Sequence, residues 1–322
     1  MKFNTSELTL AHTKIKSAID GKSKNALFRN IRLIVSNGSF RMIGQNWLYQ
    51  IEYTGSYDGD GDFDVCVSSD KFGVMLFAGN DSIDITHKDN SIITKSGKSK
   101  FNFPTIPGDD YPLIAQKDCE SVDINLKDII GRVHTCANLA DMRGYMHGVN
   151  IKSQGGKISA ACTDSHIIAV NVLDCDAPDF EIILHYDVAN ICSQYDTNSI
   201  AISGNSAKIE FNDGSTIITK LIDSKYPDFK RAIDFDADRA ISFDAAVFKK
   251  SIDIAQKLGR YVRIKKDDEG MKISSENNEM LTEIDAAGDG INIGFDCALL
   301  KKAIDLTSGK DMTIRYDESC NK

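Results

Sequence analysis

No stretch of this chain is apolar for long enough to cross a membrane as a helix. The first ten residues, MKFNTSELTL, lack the apolar core of a secretory signal, so a cytoplasmic protein is expected. The eight cysteines stand singly, with no C-x-x-C pair. That removes zinc-ribbon and thioredoxin-type readings and leaves buried, reduced thiols. The six histidines are scattered and give no metal-ligand spacing. Positive charge is also short. Lys and Arg number 38 against 47 Asp and Glu, a net charge of −9, which on its own counts against nucleic-acid binding.

Signatures of catalysis are equally thin. Asp164, Ser165 and His166 supply hydrolase-type residues, but consecutive strand residues alternate faces and do not converge. Asp58, Asp60, Asp62 and Asp64 have calcium-loop spacing. The twelfth position is Ser69 instead of Glu and no helices flank the run, so a polar hairpin tip is the better reading. Gly21-Lys22-Ser23 and Gly97-Lys98-Ser99 end like a phosphate-binding loop, yet the glycine needed five residues earlier is Lys16 in one and Ile92 in the other. Neither an enzyme nor a cofactor or metal is expected.

What the chain does have is repetition. Tyr111-Pro112 returns as Tyr226-Pro227, about 115 residues later, and each pair closes the same run of amphipathic stretch and strands. That period is too long for a short-repeat solenoid and matches a small domain. Three units follow, at 1–116, 117–236 and 237–322. One more period from Pro227 ends about 20 residues beyond Lys322, so the third unit is expected to be incomplete, without its last strands. Helices are expected over 6–19, 69–78, 125–137, 186–194, 244–258 and 296–306, with Ser6 capping the first. The runs between them read as hairpins, among them MLTEIDAA as one strand. Two helices on antiparallel sheet per unit is an α+β domain.

The helix faces opposite the apolar stripes carry cations. Phe248, Ile252 and Ala255 point one way, Lys250 and Lys257 the other, and Lys302 opposes Leu300 and Ile304. Lys14, Lys16, Lys22, Lys24 and Arg132 flank or follow the opening helices of the first two units. If two copies pool twelve helices round one axis at about 8–10 Å spacing, the free bore is roughly 20–28 Å. A DNA duplex fits, and such a lining attracts phosphates without reading bases.

The segments ACTDSHIIAV, TKLIDSKYPDFKRAI, SGKSKFNFPTIPGDDYP and INIGFDCALLKKAIDL resemble the bacterial DNA polymerase III beta subunit, the sliding clamp, and the likeness runs in order along the whole chain. The resemblance implies three clamp domains per chain, a head-to-tail homodimeric ring closed round double-stranded DNA, and no catalytic activity. It implies that DNA polymerase and clamp loader dock through short peptide motifs. Their pocket would be lined by Arg143, Tyr145, Met146, Thr163, Ser165, His166, Ile167, Ile168 and the surroundings of Ile233. Ile167 stands where the family usually has Arg, which removes a charge and a donor. Between subunits, Lys98, Lys100, Phe101 and Phe103 would meet Glu279, Leu281, Glu283 and Ile284. Opposite charges there steer two exposed strand edges together. The alternative is a clamp-derived interaction protein that binds replication or transcription partners without encircling DNA.

Overall fold

The computed structural model describes residues 1–115, 119–234, 237–307 and 309–317. The expected unit boundaries at 116/117 and 236/237 touch residues outside this set, as does the stretch after 317. Seven helices stand among the described residues: α1 (Thr5–Lys16), α2 (Ser69–Phe77), α3 (Leu126–Ile130), α4 (Tyr186–Cys192), the short α5 (Lys230–Ile233), α6 (Ala245–Leu258) and α7 (Cys297–Leu306). Apart from α5 they fall two to a unit, each pair separated by antiparallel strands.

The helix starts have a local cause. An Asn or Asp follows an apolar residue at Phe3-Asn4, Ile124-Asn125, Phe243-Asp244 and Phe295-Asp296. In each case its side-chain oxygen accepts an amide of the first turn, as when Asp244 takes Ala246 N at 2.9 Å and Val247 N at 3.1 Å. Such a cap contributes about 1 kcal/mol. Asn4, not Ser6, caps α1. The helix expected over 125–137 is two pieces. Gly131 ends α3 at φ +47°, and a separate 3-10 turn follows at Val133–Cys136. MLTEIDAA is also two pieces, Leu281–Ile284 and Ala286–Gly288, which belong to different sheets.

Units one and two share one sheet and one core. Strand Thr216–Lys220 runs antiparallel to strand Tyr49–Asp58, with Ile217 opposite Ile51 and Thr219 opposite Tyr49. Leu8, Ile15, Phe40, Phe72, Ile151 and Leu184 belong to the same buried cluster. Unit three has a separate core around Ile241, Phe248, Ile252, Ile264 and Ile273. Its strands form a three-stranded sheet centred on Arg239–Asp244 and a four-stranded sheet ending at Leu281–Ile284. After α7 it has one strand among the described residues, Asp311–Tyr316, where unit two has three after its second helix and unit one has four, counting the two-residue Ile106–Pro107.

Candidate functional site

Two of the expected phosphate-binding lysines hold the units together instead. Lys14 leaves the flank of α1 and enters unit two. Its Nζ lies 2.5 Å from Asp213 Oδ2, donates to Ser215 Oγ at 2.9 Å, and sits over the rings of Tyr195 at 4.5 Å and Phe211 at 4.6 Å. The Lys14 side chain is 4% exposed. Burial pushes the Asp213 carboxyl up, but hydrogen bonds from Lys14 and Ser215 outweigh it and hold the group below the usual carboxylate range. Lys14 is a junction residue, and its placement corrects the expectation that it meets DNA.

Lys302 does the same at the second junction. From α7 of unit three it bonds the Asp164 carboxylate of unit two. Nearby, Arg132 donates to the Asp305 carbonyl at 2.9 Å. Asp164 builds a tight turn: its Oδ1 accepts the amides of His166 at 3.0 Å and Ile167 at 2.8 Å, and Thr163 Oγ1 donates to the Ile167 carbonyl at 2.8 Å. Ser165 takes φ +76° within it, a conformation in which side chains cost energy. Burial would raise the Asp164 pKa, yet the Lys302 bond and the two amides lower it. This geometry accounts for the Asp-Ser-His run as a turn. Lys16, Lys22, Lys24, Arg132, Lys250 and Lys257 keep exposed side chains.

The expected partner-pocket residues are only partly together. A groove of about 820 Å³ opens on the face of unit two, walled by Val170, Val172, Ile183, Ile202, Tyr226, Phe229 and Ile233. Ile233 is the one expected residue lining it. Tyr145 reaches it indirectly, edge-on to Tyr226 at 5.6 Å, and Tyr226 meets Phe229 at 6.1 Å. Thr163, Ser165, His166, Ile167 and Ile168 form the turn at the end of the two strands whose bodies supply Ser159, Val170 and Val172 to the groove. Met146 is 2% exposed, so it is no exposed anchor. Arg143 is tied to Asp141 at 2.8 Å and lies 5.9 Å from the Tyr145 ring. Alternation along the second strand carried a signal for Val170 and Val172, and the repeated Tyr-Pro pair marked Tyr226. Nothing local pointed to Ile183 or Ile202.

Two strand edges are open. Ser99–Pro104 pairs on one side, with Ser91–Ser96, and Leu281–Ile284 on one side, with Gly270–Ser275, among the described residues. Lys98, Lys100, Glu279 and Glu283 are exposed, Phe101 is half-buried, and Leu281 is 63% exposed. Phe103 and Ile284, expected among the apolar residues of the contact, turn their side chains inward to the cores of units one and three. In the Asp58–Asp64 run, Asp64 is engaged by Arg32, whose Nε lies 2.9 Å from Oδ1.

Comparison with known proteins gives a consistent set. The family described as "DNA polymerase III beta subunit, central domain" matches residues 122–228. The beta sliding clamp of Pseudomonas aeruginosa is 23% identical over 239 residues, 68% of this chain and 65% of that protein's length. A crystal structure of the Pseudomonas aeruginosa DnaN sliding clamp bound to griselimycin superposes with a TM-score of 0.90 at 18% identity, over 99% of this chain and 93% of that one. The Helicobacter pylori beta clamp bound to a DNA ligase peptide gives 0.85 at 18% identity, over 99% and 94%.

Proposed function

Because this chain belongs to the bacterial DNA polymerase III beta subunit family, as a divergent member, we propose that it is a DNA sliding clamp that closes round duplex DNA as a head-to-tail homodimer and holds a replicative polymerase there. The observation that carries the ring is the junction inside the chain. There the last strand of unit two adds to the Tyr49–Asp58 strand of unit one. The same rule applied across subunits brings the third strand after α2 of unit one, Ser99–Pro104, to Leu281–Ile284 of a second copy. Both strands have a free edge on that side among the described residues, and Lys98 and Lys100 face Glu279 and Glu283 in charge. Six paired helices per chain give twelve per ring, and the exposed Lys16, Lys22, Lys24, Arg132, Lys250 and Lys257 then supply phosphate contacts.

The proposed domains are 1–116, 117–236 and 237–322, and the proposed role is non-catalytic and cytoplasmic. No helix among the described residues is long and apolar enough to cross a membrane. Polymerase and clamp loader dock as short extended peptides against the Thr163–Ile168 turn and the groove ending at Ile233. That the similar Helicobacter pylori beta clamp binds a DNA ligase peptide supports docking of partners as peptides. Sedimentation of wild type and Leu281→Glu tests the ring. The wild type runs as a dimer and the variant, altered at an exposed edge residue, as a folded monomer. A variant that stays dimeric contradicts the pairing.

A further inference from the structure

The chain's one tryptophan is 67% exposed. Burial of an indole stabilises a fold by removing apolar area from water, so a rigidly held, solvent-facing Trp needs another account. Trp47 is rigidly held. Asn46 Oδ1 accepts the amides of Leu48 at 2.8 Å and Tyr49 at 3.0 Å, which fixes the hairpin turn around it. Its ring stands on buried Phe28, with centroids 4.7 Å apart and planes at 84°, so one edge is seated. Phe28 is itself fixed at the end of the 20–28 loop, which closes through Asp20 N to the Phe28 carbonyl at 3.1 Å.

That loop is cationic. Lys22, Lys24 and Arg29 are exposed, and no carboxylate pairs with them among the described residues. Asp20 is the one acid in the loop, and it accepts the Lys22 amide at 3.1 Å. In a chain of net charge −9, three cations against one acid beside an exposed ring is a local reversal of sign. The patch also has a defined place. Tyr49, two residues from Trp47, donates its hydroxyl to the Ser17 carbonyl at 2.6 Å, the residue that ends α1. On the clamp reading α1 lines the bore, so the patch, at the end of that helix, adjoins it.

We propose that Trp47 and the loop cations Lys22, Lys24 and Arg29 form a binding site for single-stranded DNA, in which an unpaired base stacks on the indole and the flanking phosphates meet the cations. Every base has a π-face, so the site tolerates any sequence, whereas the interior of a duplex keeps its bases stacked on one another. The clamp reading is used only for the site's location; binding of a free oligonucleotide needs no ring.

The sole tryptophan is also the reporter. Titrating the full chain with a short oligothymidylate at low salt should quench its fluorescence, and a blunt duplex of the same length should not. Trp47→Ala should weaken binding of a dye-labelled oligothymidylate roughly five- to 150-fold by anisotropy, and Trp47→Phe should restore part of it. Lys22→Ala with Lys24→Ala should flatten the log–log salt slope by about 0.7 per lost phosphate contact. Absence of binding at low salt, binding without quenching, or equal quenching by the duplex overturns the proposal. So does unchanged affinity in Trp47→Ala. Retention on circular DNA, measured separately, reports on the ring alone.

Discussion

Replacing Lys14 with Met should uncouple the first two units more than its surface-helix position suggests. At 2.5 Å and an effective dielectric of about 20, the attraction between Lys14 and Asp213 is on the order of 6–7 kcal/mol before desolvation. The Lys14 side chain is 4% exposed and that of Asp213 29%, so the pair lies between a surface pair, about 0–1 kcal/mol, and a buried one, about 3–5 kcal/mol on losing a partner. Contacts with Tyr195 and Phe211 add about 0.5–2 kcal/mol, part of which a Met side chain recovers by packing between the same rings. The expected loss is about 1.5–3 kcal/mol. A double-mutant cycle with Lys14→Met and Asp213→Asn, read by urea unfolding, should give a coupling of similar size. The effect depends on pH. The folded Asp213 pKa is lowered, so its contribution is fully present above the unfolded value of about 3.9 and is lost as pH falls through the folded one. Wild type and Lys14→Met should therefore differ most near pH 7 and draw closer as pH falls through the folded Asp213 pKa, leaving only the share that the ring contacts supply. A Lys14–Asp213 coupling under about 0.5 kcal/mol near pH 7, or one that persists undiminished once Asp213 is protonated, refutes the reasoning.

Three further outcomes follow from the same geometry. Lys302→Met should loosen the Asp164 turn, with exchange of the His166 and Ile167 amides about tenfold faster, since a charged hydrogen bond contributes about 1.5–3 kcal/mol; unchanged exchange would show that the turn stands without unit three. Ile233→Asp, at an exposed groove wall, should weaken a fluorescent clamp-binding peptide at least about tenfold without unfolding the protein, and equal affinity would place the peptide elsewhere. Lys250→Ala with Lys257→Ala should reduce duplex affinity equally on all sequences and flatten the salt slope by about 0.9 per lost contact, and a change confined to some sequences would contradict phosphate binding.

The helices of unit three were legible because cap and stripe agree: Phe-Asp, then apolar residues at helical spacing, with Lys250 and Lys257 opposite the first stripe and Lys302 opposite the second. Residues 125–137 misled because the stripe through Leu126, Ile129, Ile130 and Val133 continues across Gly131, and the helical period alone does not register a left-handed break. The cations show a different limit. Lys14 and Lys16 look alike beside the α1 stripe, yet unit two covers one and leaves the other in water. Only long-range packing, through a strand more than 150 residues away, decides which is which. The groove was half legible for the same reason, since its walls come from one hairpin and from distant segments that meet only in the folded unit.

Lifetime on DNA of two topologies tests the central claim most directly. The protein is loaded at high concentration onto a nicked circular plasmid, freed of unbound chains by gel filtration, and followed before and after a single restriction cut. A closed ring remains on the circle in salt that abolishes phosphate contacts and leaves within the dead time once the plasmid is linear. Equal, salt-sensitive loss from circle and linear DNA would contradict encirclement and favour an interaction protein that touches DNA from outside.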